Sequence, residues 1–339
     1  MAPTGAASEA QDVYARPLKD LRLSVIDACN FRCPYCMPSD RVPDDHGLGA
    51  AARMSFDEME TLVRGFVGVG VTKLRITGGE PLLRKRLPCL VERLARIHGL
   101  DDLAMTTNGS LLAGQAGALR DAGLGRITVS LDALEPELFR AMSGGRGRVE
   151  DVLAGIDAAE AAGFGTLKIN CVVQRGVNDG QVLALAAHFR GSRHVLRFIE
   201  YMDVGTCNGW RADAVVPSAE LRDRVHAHWP IQPLDANYRG EVATRYGYRD
   251  GAGELGFVSS VSVPFCGDCH RARVSAQGAL YTCLFSGEGR PLRAVIGAGE
   301  TAVAAEIRRL WSLRADRYSE QRSTTRPALR RVEMYLVGG

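Results

Sequence analysis

From Leu21 to about Met202, short runs of β-branched and apolar residues alternate with stretches whose apolar positions recur every three or four residues. The near-continuous apolar runs predict strands at Leu21–Ile26, Lys73–Thr77, Leu103–Thr106, Ile127–Leu131, Leu167–Val173 and Val195–Tyr201. Strands of this kind are covered on both faces, as in a parallel sheet with helices outside it. Ser55-Phe56-Asp57-Glu58 has the spacing of a capping box, which predicts a helix from there to about Val67. Further helical stretches fall near Leu83–Ile97, Ala113–Ala122, Val149–Ala162 and Gln181–Phe189. Six strand-then-helix units are too few to close an eightfold ring, so the pattern predicts an α/β fold, a partial (β/α)6 TIM-like barrel over residues 19–235.

From about Ala236 the texture changes, and residues 236–339 read as a C-terminal extension. Arg245-Tyr246-Gly247-Tyr248 and Leu255–Val263 have strand character, Pro291–Leu313 reads as one helix, and a basic, weakly patterned tail runs to Gly338-Gly339. Residues 1–18, rich in Ala, Gly and Ser, read as a flexible N-terminal segment without the apolar stretch of a signal peptide. No run approaches the ~20 apolar residues of a membrane span.

Composition narrows the picture little. With 339 residues and 46% hydrophobic positions, a large core is within reach, and a net charge of +3 gives no ground for a nucleic-acid partner. Lys19, Lys73, Lys85 and Lys168 are the only lysines, so nearly all positive charge is arginine. Nine cysteines in a chain of this length fit a reducing, cytoplasmic setting better than a disulfide scaffold. Cys89, Cys171 and Cys207 read as buried structural thiols.

The other six cysteines form two trios. Cys29, Cys33 and Cys36 are spaced C-x3-C-x2-C on the loop after the first strand; Cys266 and Cys269 form a C-x2-C pair followed by Cys283. An iron–sulfur cubane normally takes four thiolates, so three leave an iron with an open position where substrate or cofactor can bind. A zinc ion is the competing reading at each trio, completed by His46 at the first or His270 at the second. Parallel-barrel ligands gather at the carboxyl ends of strands. The sequence places Cys29–Cys36, Gly78-Gly79-Glu80-Pro81, Thr107-Asn108-Gly109 and Ser130-Leu131-Asp132 there.

The first trio, with Tyr35 before its last cysteine and Gly78-Gly79-Glu80-Pro81 after the second strand, resembles the radical S-adenosylmethionine superfamily. The segment Pro264–Arg273 with Gly278, Cys283, Leu284 and Phe285, together with Phe198–Gly205 and the final Gly338-Gly339, resembles the GTP 3′,8-cyclases, which open molybdenum cofactor biosynthesis. The resemblance runs from about Leu21 to the last residue. It implies two [4Fe-4S] clusters, one on Cys29, Cys33 and Cys36 and one on Cys266, Cys269 and Cys283. It implies S-adenosylmethionine contacts at Tyr35, Gly79, Ser130 and Met202. GTP contacts follow at Arg22, Lys73, Arg75, Thr106, Lys168, Arg197, Arg271 and Arg273, with the tail glycines Gly338 and Gly339 entering the site. Cys29, Cys33, Cys36, Arg271 and Arg273 would be the catalytic set.

The implied reaction is a lyase-type radical cyclisation of GTP to 3′,8-cyclo-7,8-dihydro-GTP. Implied partners are an electron donor and a downstream pyranopterin-forming enzyme, for a monomer or homodimer without membrane or nucleic acid. A radical peptide maturase with an auxiliary cluster is the alternative, but it would have no use for a cationic set suited to a triphosphate. Lys73 and Arg75 share one strand face by alternation, as do Arg271 and Arg273 if extended. His270 departs from the family pattern, which has Asn there.

Overall fold

The computed structural model of the protein describes residues 9–42, 49–322 and 331–338. Six parallel strands follow one another in space as they do in sequence: β1 Asp20–Ser24, β2 Lys73–Thr77, β3 Asp102–Thr107, β4 Arg126–Ser130, β5 Lys168–Val173 and β6 Val195–Glu200. The helices between them are α1 Phe56–Val67, α2 Leu87–Ala95, α3 Ala116–Asp121, α4 Pro136–Met142, α5 Val149–Ala161 and α6 Val182–Phe189, with α7 Ser218–His228 after β6. A helix after each strand, with neighbours in sequential order, is the winding of a barrel rather than of a doubly wound sheet.

The C-terminal part adds strands to both edges of this sheet. β7 Ile231–Leu234, β8 Thr244–Tyr248 and β9 Glu254–Val258 extend it beyond β6, with β9 parallel to β6. β10 Arg271–Val274, β11 Ala279–Tyr281 and β12 Arg290–Pro291 extend it beyond β1, with β10 parallel to β1. Eight parallel strands therefore run in the order β10-β1-β2-β3-β4-β5-β6-β9, and among the described residues the ring stays open because the ends of the sheet, β12 and β7, are not paired with each other.

Alternation divides each strand between two environments. Leu21, Leu23, Leu74 and Ile76 point outward to α1, whose Met59, Leu62, Val63 and Phe66 are buried. Each such side chain is worth roughly 1.5–3 kcal/mol of burial. Arg22, Arg75, Thr106, Lys168, Asn170 and Arg197 take the other face and line the lumen.

The capping box is present, with Glu58 N donating to Ser55 Oγ and Ser55 N to the Glu58 carboxylate. Other expectations need correction. The helix expected over Pro291–Leu313 is broken by Gly297-Ala298-Gly299 into α8 Arg293–Ile296 and α9 Glu300–Ser312, with Gly299 at φ 94°. The helix expected from Leu83 begins at Leu87, because Pro88 fits only a first turn. The tail carries α10 Tyr318–Gln321 and α11 Met334–Val337. Within the segment expected to be flexible, residues 9–18 are fixed: Ala10 and Leu18 are core residues, Ala10 N donates to Val69 O, and Asp12 is fully buried between two arginines.

Candidate active site

At the carboxyl end of β1 the chain turns into the first cysteine loop, which is knitted to the loops after β2 and β3. Gly79 N donates to Ile26 O (2.8 Å) and Glu80 N to Ala28 O (2.9 Å). A Cβ on Gly79 would lie 2.5 Å from the Ala28 carbonyl carbon, so glycine is what allows this approach. The buried Glu80 carboxylate accepts from Thr107 Oγ1, Asn108 N and Leu82 N, and burial lifts it to about 7. Tyr35 donates its hydroxyl to Asp132 (2.6 Å), itself raised to about 6 by burial. Ser130 ends β4, and Met202 follows β6 and lines the lumen.

The three thiols of this loop are free and half-buried. Burial lifts the Cys29 thiol to about 11 and raises those of Cys33 and Cys36 as well, and the charge of neighbouring cysteines adds to both. Three mutually repelling thiolates in a desolvated pocket are what a cationic iron–sulfur core neutralises, so the donor set fits that group.

A cavity runs along the lumen from the strand starts, at Lys168 and Arg126, to Met202 beyond the end of β6. Of the predicted substrate residues, Arg22, Arg75, Thr106, Lys168, Arg197, Arg271 and Arg273 all line it. Lys73 is close by, but its Nζ lies under the Tyr238 ring, 3.4 Å from the centroid, and Tyr238 is the wall residue. Register sets Arg273, Arg22 and Arg75 abreast on β10, β1 and β2. Among the described residues no carboxylate forms an ion pair with any of the three. Among the described residues, the buried Nε–H groups of Arg22, Arg271 and Arg273 find no hydrogen-bond partner. Burial and neighbouring guanidiniums hold Arg22 well below its ordinary value and bring Arg273 to about 10. Burial and Arg197 bring Lys168 down to about 8.

Cys266, Cys269 and Cys283 also line the cavity, at the end where β10 begins. Burial raises the Cys283 thiol to about 12. At Cys269 burial acts the same way, but Arg271 and Arg314 outweigh it and draw the thiol down to about 6. Three free thiols facing one cavity, backed by guanidiniums, fit a thiolate-bound cluster. Among the described residues no three His, Cys, Asp or Glu side chains gather round a point as ligands of a single ion. His270 lines the same wall. His46 and Gly339 lie outside the described residues.

The chain's end reaches the opposite mouth. Gly338, at φ 69°, sits against Thr77 at the end of β2, and Val337 is fully buried. Glu333 accepts from Thr206 N, Thr206 Oγ1 and Cys207 Sγ, while Arg331 donates to Asp203 and to the Tyr318 hydroxyl. Cys171 is buried as expected, Cys207 is half-buried, and Cys89 is exposed on α2, where it has no packing role. Asp20, Arg126, Asn170, Tyr238 and Glu241 line the cavity without having been singled out. Inward alternation could have flagged Asn170, two residues after Lys168.

The fold and the first cysteine loop define a radical S-adenosylmethionine enzyme, and the pattern of the Radical SAM superfamily matches residues 23–189. The Molybdenum Cofactor Synthesis C pattern matches residues 194–320. A Streptococcus suis protein, SuiB bound to S-adenosylmethionine, superposes with a TM-score of 0.62 at 14% identity, over 87% of this chain and 69% of that one, which shows the shared fold. A GTP 3′,8-cyclase of Xanthomonas campestris pv. campestris is 68% identical over 339 residues, covering 100% of both chains. Those of Acidothermus cellulolyticus (97% of this chain, 99% of the relative) and Staphylococcus haemolyticus (98% and 99%) are 48% and 42% identical. The chain belongs to the GTP 3′,8-cyclase family. Among the described residues no helix is long and apolar enough to cross a membrane.

Proposed function

We propose that the protein converts GTP into 3′,8-cyclo-7,8-dihydro-GTP by a radical route, as the first step of molybdenum cofactor biosynthesis. The observation that carries the substrate is the row Arg273, Arg22 and Arg75, abreast in the sheet and, among the described residues, in no ion pair with a carboxylate, with Asp20 the nearby acidic group acting on all three. Buried like charges side by side oppose folding unless an anion sits between them, and a triphosphate supplies several negative charges and many acceptor oxygens. Arg271, Arg197, Lys168 and Thr106 complete that cradle, with Lys73 behind Tyr238. A peptide maturase would leave the row with no polyanion to meet.

Cys29, Cys33 and Cys36 would hold the radical-generating [4Fe-4S] cluster, and Tyr35, Gly79, Ser130 and Met202 would contact S-adenosylmethionine beside it. When bound, the cluster would supply the one electron that splits the C5′–S bond of S-adenosylmethionine, the chemistry needed for loss of hydrogen from ribose C3′ and bonding of C3′ to guanine C8, with one further electron from the donor and one proton completing the product. Cys266, Cys269 and Cys283 would hold a second [4Fe-4S] cluster facing the purine. The protein's share is to bind the triphosphate, orient the ribose along the lumen and exclude water. The tail glycines, Gly338 and Gly339, would enter the site. Residues 19–235 would then form the radical-generating barrel and residues 236–339 the purine-holding part. An electron donor and a pyranopterin-forming enzyme are the implied partners.

Anaerobic incubation of reconstituted protein with S-adenosylmethionine, GTP and a reductant should yield 5′-deoxyadenosine and the cyclised nucleotide together. Saturable GTP binding should be lost in Arg271→Ala and Arg273→Ala. Formation of 5′-deoxyadenosine with no cyclised nucleotide would reject this substrate while keeping the enzyme class.

A further inference from the structure

Two segments some 300 residues apart in sequence meet behind the second cysteine trio. Asp12 has a side chain 0% exposed and lies between Arg16 (4%) and Arg314 (1%). Arg16 Nε donates to Asp12 Oδ2 (2.6 Å), and Arg314 Nη1 donates to the same oxygen (2.9 Å). Asp12 Oδ1 accepts from Tyr14 N and Arg16 N.

Both guanidiniums also donate to main-chain carbonyls at the three cysteine-bearing stretches, and Arg16 Nη1 donates to Asp316 O as well. Arg16 Nη1 donates to Cys266 O (2.7 Å), Arg314 Nη1 to Cys269 O (2.8 Å), and Arg314 Nε to the carbonyl of Thr282, which precedes Cys283 (3.0 Å). Arg314 stacks on Trp311, whose indole Nε1 donates to Arg16 O, so the pair is held rigidly.

We infer that Asp12, Arg16 and Arg314 are positioning residues for the cluster that the second trio would hold, fixing the spacing of its three cysteines and placing positive charge behind them. This rests on the reading that Cys266, Cys269 and Cys283 bind a [4Fe-4S] cluster. A fold staple would need only to tie the N-terminal segment down. Here every cysteine-bearing stretch of the trio is hydrogen-bonded to a buried cation, and buried cations and hydrogen bonds near thiolates govern both cluster retention and reduction potential. Arginine suits the position because its fork serves several acceptors at fixed geometry.

The test uses full-length protein reconstituted anaerobically, with iron and sulfide content, electron paramagnetic resonance and potentiometric titration as readouts. Wild type should carry two clusters. Arg314→Met and Arg16→Met should lose the second while keeping the first, seen as retained 5′-deoxyadenosine formation from S-adenosylmethionine and a reductant without GTP. Arg314→Lys and Asp12→Asn should retain the second cluster in part, with the lysine variant's potential displaced to more negative values as the donors to Cys269 O and Thr282 O are lost. If Arg314→Met fails to fold, Arg314→Lys carries the test. Two full clusters with unaltered potentials in the folded variants would overturn the inference. A wild-type protein with a single cluster's iron would overturn the reading beneath it as well, and that outcome is visible before any variant is made.

Discussion

Gly338→Ala tests whether the chain's end must dock for turnover. Gly338 has φ 69° and ψ 134°, a backbone region that residues with a Cβ avoid at a cost of about 1–3 kcal/mol. The new Cβ would stand 2.7 Å from Thr77 Cβ and closer still to its Oγ1 and Cγ2. Thr77 is buried at the end of β2, in register with Ser24, and has nowhere to retreat. Relief therefore comes by lifting the end of α11. What resists lifting is the burial of Val337, worth roughly 1.5–3 kcal/mol, together with the hydrogen bonds of Glu333 and Arg331 upstream.

Strain and overlap together shift docking by about 2–4 kcal/mol, or roughly 30- to 1000-fold against the docked tail. Hydrogen exchange of the last residues should rise accordingly, cyclisation should fall at least tenfold, and the thermal midpoint should barely move because the barrel core is untouched. Thr77→Ala in the same chain removes Oγ1 and Cγ2 and should restore part of both signals. Wild-type exchange protection and turnover in Gly338→Ala would refute the reasoning.

Gly79→Ala should part the loop after β2 from the cysteine loop, because the added methyl meets the Ala28 carbonyl backbone; binding of S-adenosylmethionine, followed by calorimetry, should weaken while GTP binding is kept, and equal loss of both would contradict this. Tyr238→Ala should raise the KM for GTP about 3- to 30-fold through loss of a cation–π contact worth about 0.5–2 kcal/mol, whereas Tyr238→Phe keeps the ring and should stay near wild type; identical values for the two variants would dismiss the contact. Lys168 sits near 8 in the free protein against 10.5 ordinarily, so between about pH 8 and 10.5 the unfolded chain binds more protons and stability rises with pH. An arriving triphosphate favours the charged ammonium despite Arg197, Arg126 and Arg75, so GTP binding near pH 9 should take up a proton. Calorimetry in buffers of different ionisation heat reads this, and Lys168→Met should abolish it.

The local grammar of the barrel was legible. Ser55 and Glu58 announce α1 through their own backbone bonds, and β2 falls at Lys73–Thr77 as the apolar run indicates. What depends on partners distant in sequence was not. The parallel pairing of β10 with β1 and β9 with β6 leaves no local mark, because each short run is equally compatible with any edge. The Ala/Gly/Ser-rich start reads as loose, since Asp12 and Arg16 acquire meaning only beside Arg314. The run through Ile296 to Glu300 conceals a break that Gly297 and Gly299 signal only weakly. Of the ten predicted substrate residues, seven of the eight carried on strands line the cavity, a placement that alternation foretold within strands and the resemblance supplied across them.

One pairing, β10 on β1, sets both the charge of the chamber and the separation of the two cysteine loops. The two strands run parallel, with Asp20 opposite Arg271 and Arg22 opposite Arg273. Cys29 follows the end of β1 whereas Cys269 precedes the start of β10, so the two thiol sets stand at opposite ends of the same pair of strands. Five residues at about 3.3 Å each separate those ends by about 16 Å, the scale of an extended nucleoside triphosphate. The same register turns Arg22 and Arg273 into the lumen. A slip of one residue would turn every β10 side chain over, exchanging Arg271 and Arg273 for Ala272 and Val274 and moving Cys269 along the axis. The separation of the cysteine loops and anion affinity therefore cannot vary independently, and a substitution that loosens β10 should degrade GTP binding and the alignment of the two cysteine loops together.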